Sequence, residues 1–215
     1  LRDAQTRILI GSNKAEHAQA MLEEIKGHLQ DDMLLWAFPD ILHRDPARES
    51  DLWTRSAITV RRKRRTKEAT IETVGVSGEI TSKHYDHGTF DDVVGKENSQ
   101  TREMLEDTKR FLRVAESLFD PGATIDYVGT PWHYADAYAW LLEQKAKQGL
   151  ELGVYMVPCW VPDPNGQEVP YFGRMRPTFP ERFPVDELLR IRAIKGSSEF
   201  AAQYLLNPVS ADTAV

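Results

Sequence analysis

Two short polar clusters hold the residue types best suited to chemistry. Asp91 and Asp92 follow the strand-like run Tyr85-Asp86-His87-Gly88-Thr89-Phe90, and Gly129 and Thr130 follow a second run, Thr124-Ile125-Asp126-Tyr127-Val128. Each run leads into a helical pattern. In an open parallel sheet, ligands sit beyond the carboxyl ends of the strands, so neighbouring strands would carry both clusters to one rim. A carboxylate pair facing a small hydroxyl-bearing turn suits a hydrated Mg2+ ion and a polyphosphate, one acid on the ion and the other on an attacking water. Nucleotide hydrolysis is the first chemistry to weigh. Each cluster also has a plain alternative. Acidic residues commonly just end a strand and turn the chain, and a Thr after Gly can cap the next helix.

Other residues invite further readings. Arg61-Arg62-Lys63-Arg64-Arg65, reinforced by Arg55 and Lys67, is either a solvated turn between strands or a phosphate-contacting patch on a DNA-facing edge. Lys83 stands eight positions before Asp91 and is either a surface lysine or a cation offered to a nucleotide on this subunit or a neighbour. His84, Asp86, His87, Asp91, Asp92 and His133 are the ligand types of a zinc or manganese hydrolase. Side chains alternate faces along a strand, which would turn His87 away from His84 and Asp86 and weakens that reading. A lone His133 beside Trp132 is more ordinary as a packed residue.

Positioning these groups requires a sheet with crossover helices, and the periodicity supplies one. Arg7-Ile8-Leu9-Ile10-Gly11 reads as a buried strand, followed by a helix with Ala15, Ala18, Leu22, Ile25 and Leu29 on one face. Asn13 and Glu16 have the spacing of a capping box for that helix. Residues 56–62 and 69–74 read as two strands. Thr101 opens a helix whose stripe is Met104, Leu105, Thr108, Phe111, Leu112, Ala115 and Phe119, stopped by Asp120-Pro121-Gly122. Strand, helix, strand over 87–130 is a βαβ crossover. A helix follows from about Tyr134 to Gln148, then a hairpin turning at Pro162-Asp163-Pro164-Asn165-Gly166, then two short helices broken at Gly196. The fold expected is an α/β parallel sheet flanked by helices, with a C-terminal hairpin and helical tail.

At 215 residues the chain fits one large domain, or one with an appendage. Its net charge of −6 gives no overall attraction to nucleic acid, so any such contact needs a local basic patch. Cys159 is the single cysteine, which excludes an internal disulfide and a cysteine-rich zinc site. No apolar run approaches a membrane span, and no membrane partner is expected. The opening Leu1-Arg2-Asp3 has no signal-peptide character, and the chain reads as an intracellular piece of a longer protein.

In this order the motifs resemble the ATPase region of tailed-bacteriophage large terminase subunits. Residues 7–13 with their helix are similar to the strand and helix downstream of the family's Walker A loop. Gly75-Val76-Ser77-Gly78 and the run to Asp86 resemble the loop leading into Walker B. Phe90-Asp91-Asp92-Val93-Val94 resembles Walker B itself, and Tyr127-Val128-Gly129-Thr130-Pro131-Trp132-His133 the motif coupling hydrolysis to movement. Arg182-Phe183-Pro184 through Asn207-Pro208 resembles the end of the ATPase region.

The resemblance implies Asp91 as the magnesium ligand, Asp92 as the catalytic acid, Gly129 and Thr130 as the γ-phosphate sensor, and Lys83 as a basic residue offered to a neighbouring subunit. It implies a parallel sheet of the P-loop NTPase type, with ATP and Mg2+ as cofactors. The implied partners are double-stranded DNA, a portal protein, a small terminase subunit and further copies in a ring, in the host cytoplasm and transiently on the prohead. It divides the chain into a partial ATPase core, 1–150, and a hairpin and helical tail, 151–215. The departures are specific. No Gly-x-x-x-x-Gly-Lys-Ser/Thr sequence occurs in the 215 residues, and the family would place it upstream of Leu1, with the nuclease domain beyond Val215. Asp92 stands where many relatives have Glu, Ser82 where many have Gly, and Lys83 where many have Arg. The isolated chain is therefore expected to bind ATP poorly and hydrolyse it negligibly. The alternatives are the metal-dependent hydrolase above and a non-enzymatic prophage remnant.

Overall fold

Ile8-Leu9-Ile10 is apolar on both faces, the composition of a strand covered on both sides, and it lies at the centre of the sheet. In the computed structural model, which describes residues 3–80 and 82–208, the five-stranded sheet has the order β2-β3-β1-β4-β5. Its strands are β1 (Ile8–Ser12), β2 (Ala57–Ile58), β3 (Ile71–Gly75), β4 (Tyr85–Asp91) and β5 (Phe119–Val128). β1 pairs in parallel with β3 and β4, and β4 in parallel with β5; only the two-residue β2 is antiparallel. The architecture is mixed α/β with a mostly parallel five-stranded sheet flanked by helices, as expected, plus a separate two-stranded antiparallel hairpin.

The chain divides into two compact units, one of residues 1–93 with 106–129, the other of 94–105 with 130–215. In the first unit, helix α1 (Ala15–Leu29) buries Ala18, Leu22 and Leu29 against Ile10, Ile58 and Ile71, joined by Leu42 and Val60. The short α2 (Asp32–Ala37) and α3 (Pro46–Glu49) fill the stretch to β2. Aromatic rings pack along β4 and β5: Phe90 stacks on Tyr127 at 5.5 Å and meets Phe111 and Phe119 edge-on. A Cβ on Gly11 would sit 2.4 Å from the Phe90 ring, so only a glycine lets that ring lie across β1. Helix α4 (Arg102–Glu116), preceded by a 3-10 turn at Glu97–Ser99, makes the crossover between β4 and β5.

Two expectations shift here. α4 ends at Glu116, and Phe119 belongs to β5, where it pairs with Tyr85. Its spacing from Ala115 suits a helix stripe equally well, but Ser117 and Leu118 already turn the chain through bonds to Val114 and Ala115 carbonyls. Asp120-Pro121-Gly122 is then a bulge inside β5 rather than a helix stop: the partners of Tyr85 and His87 are Phe119 and Thr124. The first helix also starts later than a capping box would have it. Lys14 is the N-cap, without a side-chain cap bond, because Asn13 is still tied into the sheet end through its N–H.

The second unit holds α5 (Ala137–Gln148), the hairpin β6 (Trp160–Val169) and β7 (Gly173–Pro177), then α6 (Val185–Lys195) and α7 (Ser197–Gln203). Gly149 ends α5 in the left-handed conformation at φ 70°. The hairpin turns at residues 170–172, not at Pro162–Gly166. Pro162 and Gln167 both face Met175, so the proline-rich stretch between them bulges within β6. Trp160, Val169, Val185, Leu188 and Phe200 form this unit's core.

Candidate functional site

The carboxyl ends of β1, β3, β4 and β5 lie at one rim of the first unit, since all four run parallel. Asp91 is in register with Val128, and Phe90 with Gly11. Backbone bonds stitch these ends together beyond the ladder: Asp92 N–H donates to Val128 O at 2.9 Å, Asn13 N–H to Asp92 O at 3.2 Å, and Val76 N–H to Ser12 O at 3.0 Å. β3 can end this close to α1 because Gly75 has no side chain; a Cβ there would lie 2.6 Å from Ala15 N.

Asp92 occupies the left-handed region at φ 45°, a conformation that a short polar side chain tolerates better than most. The two carboxylates therefore leave the strand at a sharp bend held from both sides by main-chain bonds. Asp91 is half-buried, and Asp92 is exposed. Among the described residues the Asp91 carboxylate has no hydrogen-bond or ion-pair partner. Asn13 Oδ1, just past the end of β1, is buried and also has no partner. Half-buried oxygen without a protein donor is the state in which a carboxylate can take a hydrated, oxygen-seeking cation such as Mg2+. Tyr127, one residue before Val128, has its hydroxyl pKa pushed well above the usual range by burial and then by Glu116, so it serves as neutral packing beneath the rim.

Gly129 follows Val128 directly, so the end of β5 brings Gly129 next to Asp91 in the ladder, and Thr130 opens the second unit. Thr130 does not cap a helix. That task belongs to Asp136, which the sequence reading passed over: its fully buried carboxylate accepts from Trp132 N, His133 N and Ala139 N at 2.9, 3.2 and 3.0 Å. An Asp directly before Ala-Tyr-Ala is an ordinary N-cap signal, masked here by the aromatic residues upstream. His133 accepts from Ala135 N through Nδ1 and packs on Tyr134, a structural role.

Lys83 lies at the opposite, amino end of β4, in an ion pair with Glu72. At about 3.3 Å per residue, the eight-residue step to Asp91 covers roughly 25 Å, beyond the reach of a lysine side chain. One chain does not bring Lys83 to the carboxylate pair. Thr81, in the loop that precedes it, lies outside the described residues. The metallohydrolase set does not assemble: Asp86 is engaged by Arg7 through both oxygens, and among the described residues no three His, Cys, Asp or Glu side chains gather to hold a metal.

No family model matches the chain, and no curated protein matches it. Among solved structures it is similar to the crystal structure of the HK97 bacteriophage large terminase, with a TM-score of 0.51 at 10% identity. The match covers 95% of this chain and 40% of that one, so the chain spans less than half of the structure it resembles. At that identity the likeness is one of fold.

Proposed function

We propose that the chain is part of an ATP-driven motor that moves double-stranded DNA into viral proheads, with Mg2+-dependent ATP hydrolysis at the carboxyl rim. The observation supporting this reading is the parallel register of Asp91 with Val128, the residue before Gly129. A Mg2+ ion held there would supply positive charge against the negative charge developing during phosphoryl transfer. Asp91 would hold the ion through its waters. Asp92, fixed by main-chain bonds to β1 and β5, would orient the attacking water and take its proton. The Thr130 hydroxyl would bond the terminal phosphate, and its loss on hydrolysis would release the turn ahead of Asp136. Lys83 would act only in trans, reaching an adjoining subunit's site in a ring around DNA. A portal protein and a small terminase subunit complete the assembly, placed in the host cytoplasm and transiently on the prohead.

The fold likeness to a terminase supports the coarse reading; the roles of the residues rest on the rim geometry. The test is ATP turnover by a longer form of the protein that carries a Walker A loop, with Asp91→Ala and Asp92→Asn each abolishing it while the fold is retained. A variant with near-normal turnover removes that residue from its role. Robust Mg2+-dependent turnover by the 215-residue chain alone overturns the reading, because it has no P-loop lysine sequence to cradle the phosphates.

A further inference from the structure

Six of the chain's 27 Lys and Arg residues fall within residues 61–67, leaving 21 to set against 33 acidic residues elsewhere. The structure sorts these six into two kinds. Arg62 is a half-buried clamp whose guanidinium donates to the carbonyls of Ala4, Thr6 and Glu68 and to Thr66 Oγ1. Arg61 is held by Glu49 at 2.6 Å, and Lys67 donates to Ser82 O at 2.5 Å. The acids nearby are engaged as well: Glu49 takes Asp45 N as well as Arg61, and the buried Glu68 takes His84 N at 3.2 Å.

Lys63, Arg64 and Arg65 remain. All three are exposed, and among the described residues Lys63 and Arg64 have no ion-pair partner. Arg65 only approaches Asp51 at 3.4 Å, with 90% and 71% of the two side chains in solvent, a pair of negligible strength. Arg64 and Arg65 border an open cleft of about 610 Å³ between this connection and Asp51-Leu52. Anchoring at Arg61, Arg62 and Lys67 thus presents three consecutive exposed cations, only Arg65 facing an acid, the equally exposed Asp51, on a connection whose shape is pinned at both ends.

We propose that Lys63-Arg64-Arg65 is a docking surface for the phosphate backbone of duplex DNA, read without regard to sequence. Two planar guanidinium forks and an ammonium suit a row of phosphates better than a single small anion in an enclosed site. In a chain that is otherwise strongly acidic, this patch must supply the attraction. The choice of duplex DNA among polyanions rests on the proposed motor reading; ATP turnover is measured separately, so the two can fail separately.

The test is binding of a fluorescently labelled duplex of arbitrary sequence to the 215-residue chain across a salt series. It compares wild type, K63A/R64A/R65A, and a charge-matched control, R110A/K147A/R190A, with thermal unfolding as a check on the fold. The patch variant should lose at least about tenfold in affinity at low salt. Its slope of log K against log salt should fall by about two to three, roughly 0.9 for each phosphate that the variant no longer neutralises. The control should keep the wild-type slope. Equal losses in both variants, no duplex binding by wild type at low salt, or competition by poly-glutamate as effective as by unlabelled duplex would each overturn the assignment.

Discussion

The two rims of the five-stranded sheet treat charge in opposite ways. At the amino rim the ionic groups hold one another. Arg7 donates to Asp86 and to Asp120, tying β1, β4 and β5 together, His84 approaches Asp120 at 3.3 Å, and Lys83 pairs with Glu72. At the carboxyl rim Asp91 is half-buried without a partner among the described residues, Asn13 Oδ1 is buried and unsatisfied, and Asp92 sits in a left-handed bend. Polar groups left without protein partners cost stability, and Gln5 Nε2, ahead of β1, is buried and unpartnered as well, so the contrast rests on the charged groups. One rim holds the strands; on the proposed function the other is kept available.

The sharpest way to break this contrast is at the available rim. In a protein carrying the P-loop, Asp92→Asn should lower ATP turnover by at least about a hundredfold, the scale of a lost catalytic base, while the urea midpoint stays close to wild type. A drop in both together would make Asp92 a structural residue. Lys83→Ala comes next. If it acts in trans, turnover in assembled rings should fall about tenfold or more, the lower range of a single electrostatic contact, and mixing with Asp92→Asn subunits should change the loss in proportion to the number of mixed interfaces. Identical turnover in rings of wild type and Lys83→Ala would leave Lys83 only its pair with Glu72.

The remaining expected effects are on stability. Gly11→Ala, near the carboxyl end of β1, drives a methyl into the Phe90 ring and should cost about 1–3 kcal/mol in urea unfolding, though it touches no charge. Arg7→Ala should cost about 1–2 kcal/mol, since its partners are more than a third exposed and solvent screens part of the gain. The smallest effect is in acid. Asp86 has its pKa held below the ordinary 3.8 chiefly by the Arg7 side-chain bond, with burial opposing. Its contribution is complete above the unfolded value and disappears as pH falls through the folded one. Wild type should therefore lose stability more steeply than Arg7→Ala below about pH 4, and parallel acid curves by circular dichroism would remove Asp86 from the clamp.

Much of the contrast was legible in the residues themselves. Parallel pairing follows from the apolar runs at Ile8–Ile10 and Val74 with a helical stripe between them, and the adjacency of β4 and β5 from the crossover helix. The polar residues ending both strands marked the rim. What escaped was decided by tertiary bonding. Asn13 looks like a cap because its type and spacing are right, but its N–H is claimed by Asp92. Pro162 and Pro164 look like a turn because neither can donate, yet Trp160 and Val169 share one core and draw the bulged strand past them. Phe119 satisfies two periods at once, and only its pairing with Tyr85 chooses. The Lys83–Glu72 pair joins residues eleven apart through a loop, which no local pattern reveals.

β5 lies at the margin of the sheet, and past the bulge the backbone of residues 124–127 pairs, among the described residues, with β4 alone. Their outward amides and carbonyls are a template to which another extended chain can add. Asp126 and Pro121 discourage that encounter without preventing it, so concentrated solutions of this polypeptide should show reversible self-association that diluting the sample undoes.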